Sequence, residues 1–170
     1  MTTAQLGDIV VGVDESAVSV AALRWAMFEA AASGRPVVAL RAWTFEPASD
    51  FDSAVTGSPE AVQEIHRRQL DATIEQARAD SPDAPVRAEL AEHSPTFALI
   101  EASKTASMIV LGSHGRSRML TMLVGSVAEQ CLREANCPVV IIPARTVPEP
   151  EKQPAEPSDL EGSYFPGPLL

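Results

Sequence analysis

Five short apolar runs, each closed by turn chemistry, recur along the chain with helix-forming stretches between them. They are DIVVGVD (Asp8–Asp14), VVALRAW (Val37–Trp43), VRAELAE (Val86–Glu92), the run from Ser107 to Gly112, and PVVIIP (Pro138–Pro143). Such runs are too short for buried helices and rich in β-branched residues, so they predict strands. The segments between them predict helices over 16–33, 60–80, 95–105 and 126–135. Strands alternating with helices make right-handed crossovers and a parallel sheet covered on both faces. Five strands are too few to close a barrel. The expected fold is an α/β open, doubly wound five-stranded parallel sheet, order 3-2-1-4-5, with helices on both faces.

The punctuation agrees with this division. Gly34 and Pro36 stop the first helix, and Thr44–Pro59 is broken by Pro47, Gly57 and Pro59, which predicts a loop. The second helix carries an approximate stripe of Val62, Ile65, Leu70, Ile74 and Ala77. VRAELAE alternates apolar and charged residues, as a half-exposed strand near a sheet edge does. Trp25, on an alanine-rich helix, is expected in the core, and Trp43 in the core or in a pocket wall.

With 170 residues the chain has the size of one domain and buries a core without staples. Its net charge of −10 argues against nucleic acid or anionic lipid as the main partner, although a local cluster of amides and arginines still suits a small anion. No apolar run reaches the length of a membrane span. The opening MTTAQLGDIVVGVD has neither a basic start nor a long apolar segment, so no signal peptide is expected and a cytoplasmic location is. Cys131 and Cys137 form no CxxC pair and are expected as reduced thiols. The folded domain is expected over 1–144. From 144 onward the sequence holds six of the 14 prolines and five acidic against two basic residues, so 145–170 is expected to be a disordered tail.

Between the fourth strand and the last helix stands GSHGRSRMLTMLVGS, Gly112 to Ser126. Connections of this type need only a few residues. In an open α/β sheet, ligands bind beyond the carboxyl ends of the strands, where strand order reverses. If strands 1 and 4 are neighbours there, the turn carrying Asp14 faces this loop. Gly112 and Gly115 would let the backbone approach a ligand and allow φ > 0. Gly125, Ser126 and Val127 open a helix whose N–H groups suit phosphate oxygens, and Arg116 and Arg118 add charge. Each feature has a plainer reading beside it. Glycine after a strand is common turn punctuation, Ser126 can serve as a simple N-cap, and Asp14 can cap the first helix although Ser16 is available. His114 sits in the same loop. His66 and His93 show no metal-ligand spacing.

The G-x-x-G-(nine residues)-G-S pattern resembles the signature of the ATP-binding universal stress proteins. The resemblance runs from DIVVGVDESAVSVAALRWA through VVALRAW to VLGSHGR, GSVAEQCL and CPVVIIP, residues 5–144, and leaves the tail outside. It implies a Rossmann-like fold and an adenine nucleotide, ATP, as ligand. It assigns Gly112, Gly115, Gly125 and Ser126 to ribose and phosphates, with an amide from Val127. It assigns Asp14 to the adenosine portion, Ala42 to the adenine and Leu111 to packing near the base. Magnesium would be held mainly by phosphates and water, since few carboxylates are at hand. Two departures stand out: Arg118 where many relatives have glycine, and Ala42 in place of a valine. The family also implies a homodimer through the last strand, 138–143, whose short apolar edge carries no protecting charge.

No GxxxxGK[ST], SGGxDS or GxGxxG motif is found, nor a Ser–His–Asp or Cys–His arrangement. The expectation is therefore a nucleotide-dependent regulatory module of the stress response, with at most slow hydrolysis. The alternative is a dimeric interaction module of the same fold without functional nucleotide binding, which would lack the intact glycine signature.

Overall fold

A computed structural model describes residues 6–45, 58–79, 81, 83–113 and 124–144, and every statement below concerns those residues. The expected 145–170 tail and most of the 44–59 loop lie outside them. The elements run β1 (Ile9–Gly12), α1 (Ala17–Ser33), β2 (Val37–Trp43), α2 (Pro59–Arg78), β3 (Val86–Glu92), α3 (Pro95–Ser103), β4 (Met108–Gly112), α4 (Ser126–Glu134) and β5 (Val139–Ile142). All pairings are parallel, in the order β3-β2-β1-β4-β5. The strand order read from the sequence is the order observed.

The element boundaries have local causes. Serine N-caps open α1, α2 and α3: Ser16 accepts from Ser19 N, Ser58 from Ala61 N and Ser94 from Phe97 N. Proline follows the cap in α2 and α3, where its missing N–H costs nothing, so α2 begins at Pro59, one residue earlier than expected. The expected helix over 95–105 ends at Ser103 because the chain tightens there. Lys104 N donates to Glu101 O at 3.2 Å and Thr105 N to Ala102 O at 3.2 Å, three residues back rather than four. Gly34 ends α1 with φ 71°, a left-handed conformation that a Cβ would strain, and its N–H returns to Ala30 O.

Two cores sandwich the sheet. On one face α1 and α2 bring Leu23, Met27, Leu70 and Ile74 onto Ile9, Val11, Val37, Ala39 and Val110. On the other, α3 and α4 bring Ala98, Leu99, Ala128 and Cys131 onto Val10, Val38, Leu40, Ile109 and Leu111. Each large side chain buried in this way contributes about 1.5–3 kcal/mol. β2 is buried along nearly its whole length, as expected for a strand covered on both sides, while edge strand β3 stays partly open. Trp25 departs from expectation. It is 37% exposed and Phe28 is 56% exposed, because the alanine-rich α1 has no polar face to mark which side turns outward.

Because every strand points the same way, all five carboxyl ends share one rim. Gly12, Trp43, Glu92, Gly112 and Ile142 end their strands there, and the turns beyond them carry Asp14, Thr44, His93 and Ser113.

Candidate nucleotide site at the strand rim

β1 and β4 lie side by side, so their turns meet at the centre of the rim. Beyond β1, Val13 N donates to Leu40 O at 2.9 Å and holds the chain against β2 before it turns. Asp14 Oδ1 then accepts from Ser16 N at 2.9 Å and from Ser16 Oγ at 2.5 Å. Ser19 Oγ donates to the Asp14 carbonyl at 2.8 Å. Ser16 is the cap of α1, so Asp14 braces the cap rather than replacing it. Asp14 Oδ2 has no hydrogen-bond partner among the described residues and is available to a donor such as a ribose hydroxyl.

The β4 side is built around Ser113, which the sequence did not single out. Ser113 is 5% exposed and ties three segments together. Its N–H donates to Ile142 O at 2.8 Å, its carbonyl accepts from Gly125 N at 2.6 Å, and its Oγ accepts from Ala144 N at 3.0 Å. The two ends of the long loop are thus pinned to each other and to the end of β5. α4 starts from Gly125, the N-cap, with φ −71° and ψ 159° and no side-chain cap hydrogen bond. Ser126 therefore occupies the first helical position and is not the cap. Glu129 N donates to Gly125 O, which leaves the N–H groups of the first turn directed outward from the helix end.

Glycine serves packing here more than conformation. Among the described residues positive φ occurs only at Gly7 and Gly34, so Gly112 does not use the left-handed freedom expected of it. A Cβ on Gly112 would instead lie 2.8 Å from Val18 Cγ1 and 3.3 Å from the Val18 backbone, so its bareness lets the first turn of α1 press against β4. Gly12 plays the matching part on the other face, where a Cβ would collide with Leu111 and meet Leu99 at 3.3 Å. Leu111 is accordingly a core side chain, 5% exposed.

Of the residues expected to contact nucleotide, Asp14, Gly112, Gly125, Ser126 and Val127 gather at the β1/β4 rim. Ala42 stands one position before the end of β2 and, with Val127, flanks the α3/α4-side core. Gly115 and Arg116, with His114 and Arg118, lie outside the described residues. Towards the β2/β3 side the rim opens into a cleft of about 230 Å³, lined by Ala42, Trp43, Thr44, His66, His93 and Pro95. The histidines are distant in sequence and come together only because β2 and β3 are neighbours. His66 stacks on Trp43 with ring centres 5.7 Å apart, and His93 lies 4.6 Å from Phe97. No group of three or more metal-ligating side chains occurs among the described residues.

Beneath the cleft lies a buried cation that sequence reading passed over as part of an apolar strand. Arg41 is 4% exposed. Its Nε donates to His66 Nδ1 at 3.1 Å, and its Nη2 donates to Glu15 Oε1 at 3.1 Å and Gln69 Oε1 at 2.6 Å. Burial lowers the guanidinium from its ordinary range, and the field of Asp14 draws it back. On α4 the opposite case appears. Burial, reinforced by Cys137 and Glu134, pushes the Cys131 thiol up to about 11, which keeps it protonated and unreactive at neutral pH.

Comparison with known proteins fits this architecture. The family model described as the universal stress protein family matches residues 6–143. Universal stress protein Rv2623 of Mycobacterium tuberculosis is 32% identical over 152 residues, covering 86% of this chain and 51% of that protein. The chain therefore spans about half the length of the curated relatives it matches. Among solved structures, a universal stress protein from Archaeoglobus fulgidus in complex with dAMP aligns with a TM-score of 0.58 at 23% identity, covering 82% of this chain and 99% of that one. A universal stress protein in complex with cAMP aligns with a TM-score of 0.56 at 23% identity, covering 80% and 96%. Matched along nearly all of its described length, the chain belongs to the universal stress protein family.

Proposed function

We propose that this chain binds an adenine nucleotide at the β1/β4 rim, ATP with magnesium being the physiological form, and that its contacts with other proteins change with occupancy. The observation that carries the reading is the unlike pair of turns at that rim. One presents a carboxylate oxygen without a hydrogen-bond partner among the described residues, Asp14 Oδ2, and the other a helix start at Gly125 with no side-chain cap. A ribose or base edge needs an acceptor and a phosphate needs N–H donors, so the two turns suit opposite ends of one nucleotide. Family members of this fold solved with dAMP and with cAMP support the same ligand class.

Magnesium, where present, would be held mainly by phosphate oxygens and water. Among the described residues the rim supplies groups that bind and orient, so the reading is a regulatory module with at most slow hydrolysis, working in the cytoplasm. Titration calorimetry of nucleotide-stripped protein with Mg-ATP tests the first step: saturable heat is expected, and neither heat nor thermal shift at millimolar nucleotide would refute it. A turnover assay tests the second.

Assembly belongs to the same reading. β5 is a sheet edge whose Val139, Val140 and Ile141 remain partly exposed, with Ile142 already in the core. Pairing with a second copy across a two-fold axis would cover that edge. Light scattering should give a homodimer at micromolar concentration, and Val140→Lys should shift it toward monomer. A monomeric wild type would overturn the assembly.

A further inference from the structure

We propose that Arg41 is a positioning residue for the β1–α1 turn, and that it holds the turn only while His66 is neutral. The inference rests on the nucleotide reading above and adds a proton-dependent support to the same site.

The position of Arg41 is costly by itself. It follows Val37 and Ala39 on the face of β2 that α1 and α2 cover, and its partner in register is Leu90. A cation buried there is tolerable only when hydrogen-bonded and paired. Its Nη1 is buried with no hydrogen-bond partner among the described residues, so the remaining contacts carry the load. One of them is Glu15, which stands between Asp14 and the helix cap Ser16. Through Glu15 the guanidinium fastens the carboxyl end of β2 to the four-residue turn that presents Asp14.

A guanidinium only donates, so the 3.1 Å contact requires His66 Nδ1 to offer a lone pair. Protonating His66 would set N–H against N–H and place a second positive charge beside the first. The contact cannot survive that change. Among the described residues, charged groups stand around His66 on the β1–α1 turn, β3 and α2. Glu15 and Asp14 on the β1–α1 turn are engaged with Arg41 and Ser16. On β3, Glu92 is exposed at the register position of Trp43, and His93 beyond it also lines the cleft. On α2 itself, Arg67 donates to Ala88 O, Glu64 pairs with the exposed Arg68, and Gln69 is held by Arg41. His66 is partly exposed at the cleft, so a proton can reach it.

The test uses cAMP, a phosphodiester whose charge is constant near neutral pH, unlike a monoester with its second ionisation near pH 6. As pH is lowered from 7.5 until the imidazole ¹⁵N shifts report protonation of His66, wild-type affinity for cAMP should fall by about tenfold, within the usual range for coupled sites. His66→Asn places an amide oxygen where Nδ1 stood and does not titrate, so its affinity should be flat with pH. Arg41→Leu should bind more weakly and also without pH dependence. In ligand-free protein, imidazole ¹⁵N shifts at pH 7.5 should show His66 protonated on Nε2 alone. If Arg41→Leu does not fold, the comparison of wild type with His66→Asn decides. Wild type that binds cAMP with a flat profile, or His66→Asn that keeps the wild-type profile, would overturn the positioning role and leave the nucleotide reading standing. Absence of cAMP binding at every pH, with the expected ¹⁵N pattern intact, would overturn the positioning role as stated, and the nucleotide reading would then rest on the Mg-ATP titration alone.

Discussion

The two helices that follow the β1 and β4 turns are built on opposite plans. α1 runs for 17 residues, buries eight of them, and opens with a serine cap that Asp14 braces. α4 runs for nine residues, buries only Ala128 and Cys131, and opens with a glycine that offers no cap. A cap satisfies orphan N–H groups from within the chain, whereas an uncapped start leaves them for something else. Since α2 and α3 are also serine-capped, the bare start of α4 is not a general habit of this sequence. On the nucleotide reading proposed above, the difference separates a wall from a receptor: α1 fixes the shape of the site, and α4 keeps donors in reserve.

If α1 is the wall, its seat on β4 should be the most damaging place to disturb. Gly112→Ala would push a Cβ to 2.8 Å from Val18 Cγ1 and 3.3 Å from the Val18 backbone carbon, and the backbone cannot yield cheaply. A loss of about 3 kcal/mol is expected, the upper part of the range for overpacking. In thermal melts this lowers Tm by roughly 5–10 °C for a domain of this size. Adding Val18→Ala should recover part of the loss, because the two changes act on one contact. An undisturbed Tm would mean that α1 is not seated through Gly112.

α4 should respond instead to alkali. The Cys131 thiol titrates at about 11 in the folded protein against an ordinary 9.0. A folded-state value raised above the unfolded one gives a contribution fully present below pH 9, lost as pH rises towards 11. The full loss is on the order of 2 kcal/mol. Denaturant midpoints should therefore decline between pH 9 and 11, and Cys131→Ala should remove this part of the slope. An unchanged slope in that variant would mean that Cys131 does not anchor α4 in protonated form.

What the sequence discloses follows the range of the interactions. The strands were legible because burial on both faces writes continuous β-branched runs into the chain, and β2 is buried from Val37 to Arg41. The meeting of Asp14, Gly112, Gly125, Ser126 and Val127 at one rim was legible because the strand order places the turns after β1 and β4 side by side, although neither Gly112 nor Gly125 uses the left-handed freedom that glycine suggests. Gly12 was missed because its requirement comes from Leu111 and Leu99, about a hundred positions away. Arg41 looked like a single interruption of an apolar strand. Its meaning depends on Glu15, His66 and Gln69, and no spacing rule joins a turn, a strand and a helix face. Ser113 was hidden among neighbouring glycines, although a serine directly after a strand, followed by a long loop, is a place to look for a residue that closes the loop.

A milder test separates the brace from the cap. Ser16→Ala removes the hydroxyl that accepts from Ser19 N and donates to Asp14 Oδ1. A loss of about 1 kcal/mol is expected, as for other serine caps. The Ser16 N–H still reaches Asp14 Oδ1, so the carboxylate keeps one tether. Nucleotide affinity should fall less than with Asp14→Ala, measured by the same calorimetry. If the two variants lose affinity equally, Asp14 acts through the cap and not by touching the ligand.

The smallest change in stability carries the sharpest information. Gly125 has an extended backbone, φ −71° and ψ 159°, that any residue adopts, so a side chain adds no backbone strain there. Gly125→Ser would give α4 the cap that α1, α2 and α3 already have. Serine is the better cap by a few tenths of a kcal/mol, so the ligand-free protein should melt at the same temperature or slightly higher. The new hydroxyl would accept the N–H groups that the nucleotide reading reserves for phosphate, and its Cβ would stand where the phosphate approaches. ATP affinity should then drop by about tenfold, the loss of one charge-assisted hydrogen bond. Stability and binding are thus expected to move in opposite directions. A purely structural glycine would move them together or move neither, and a Gly125→Ser protein that binds ATP like wild type would remove the contrast between α1 and α4 on which the site rests.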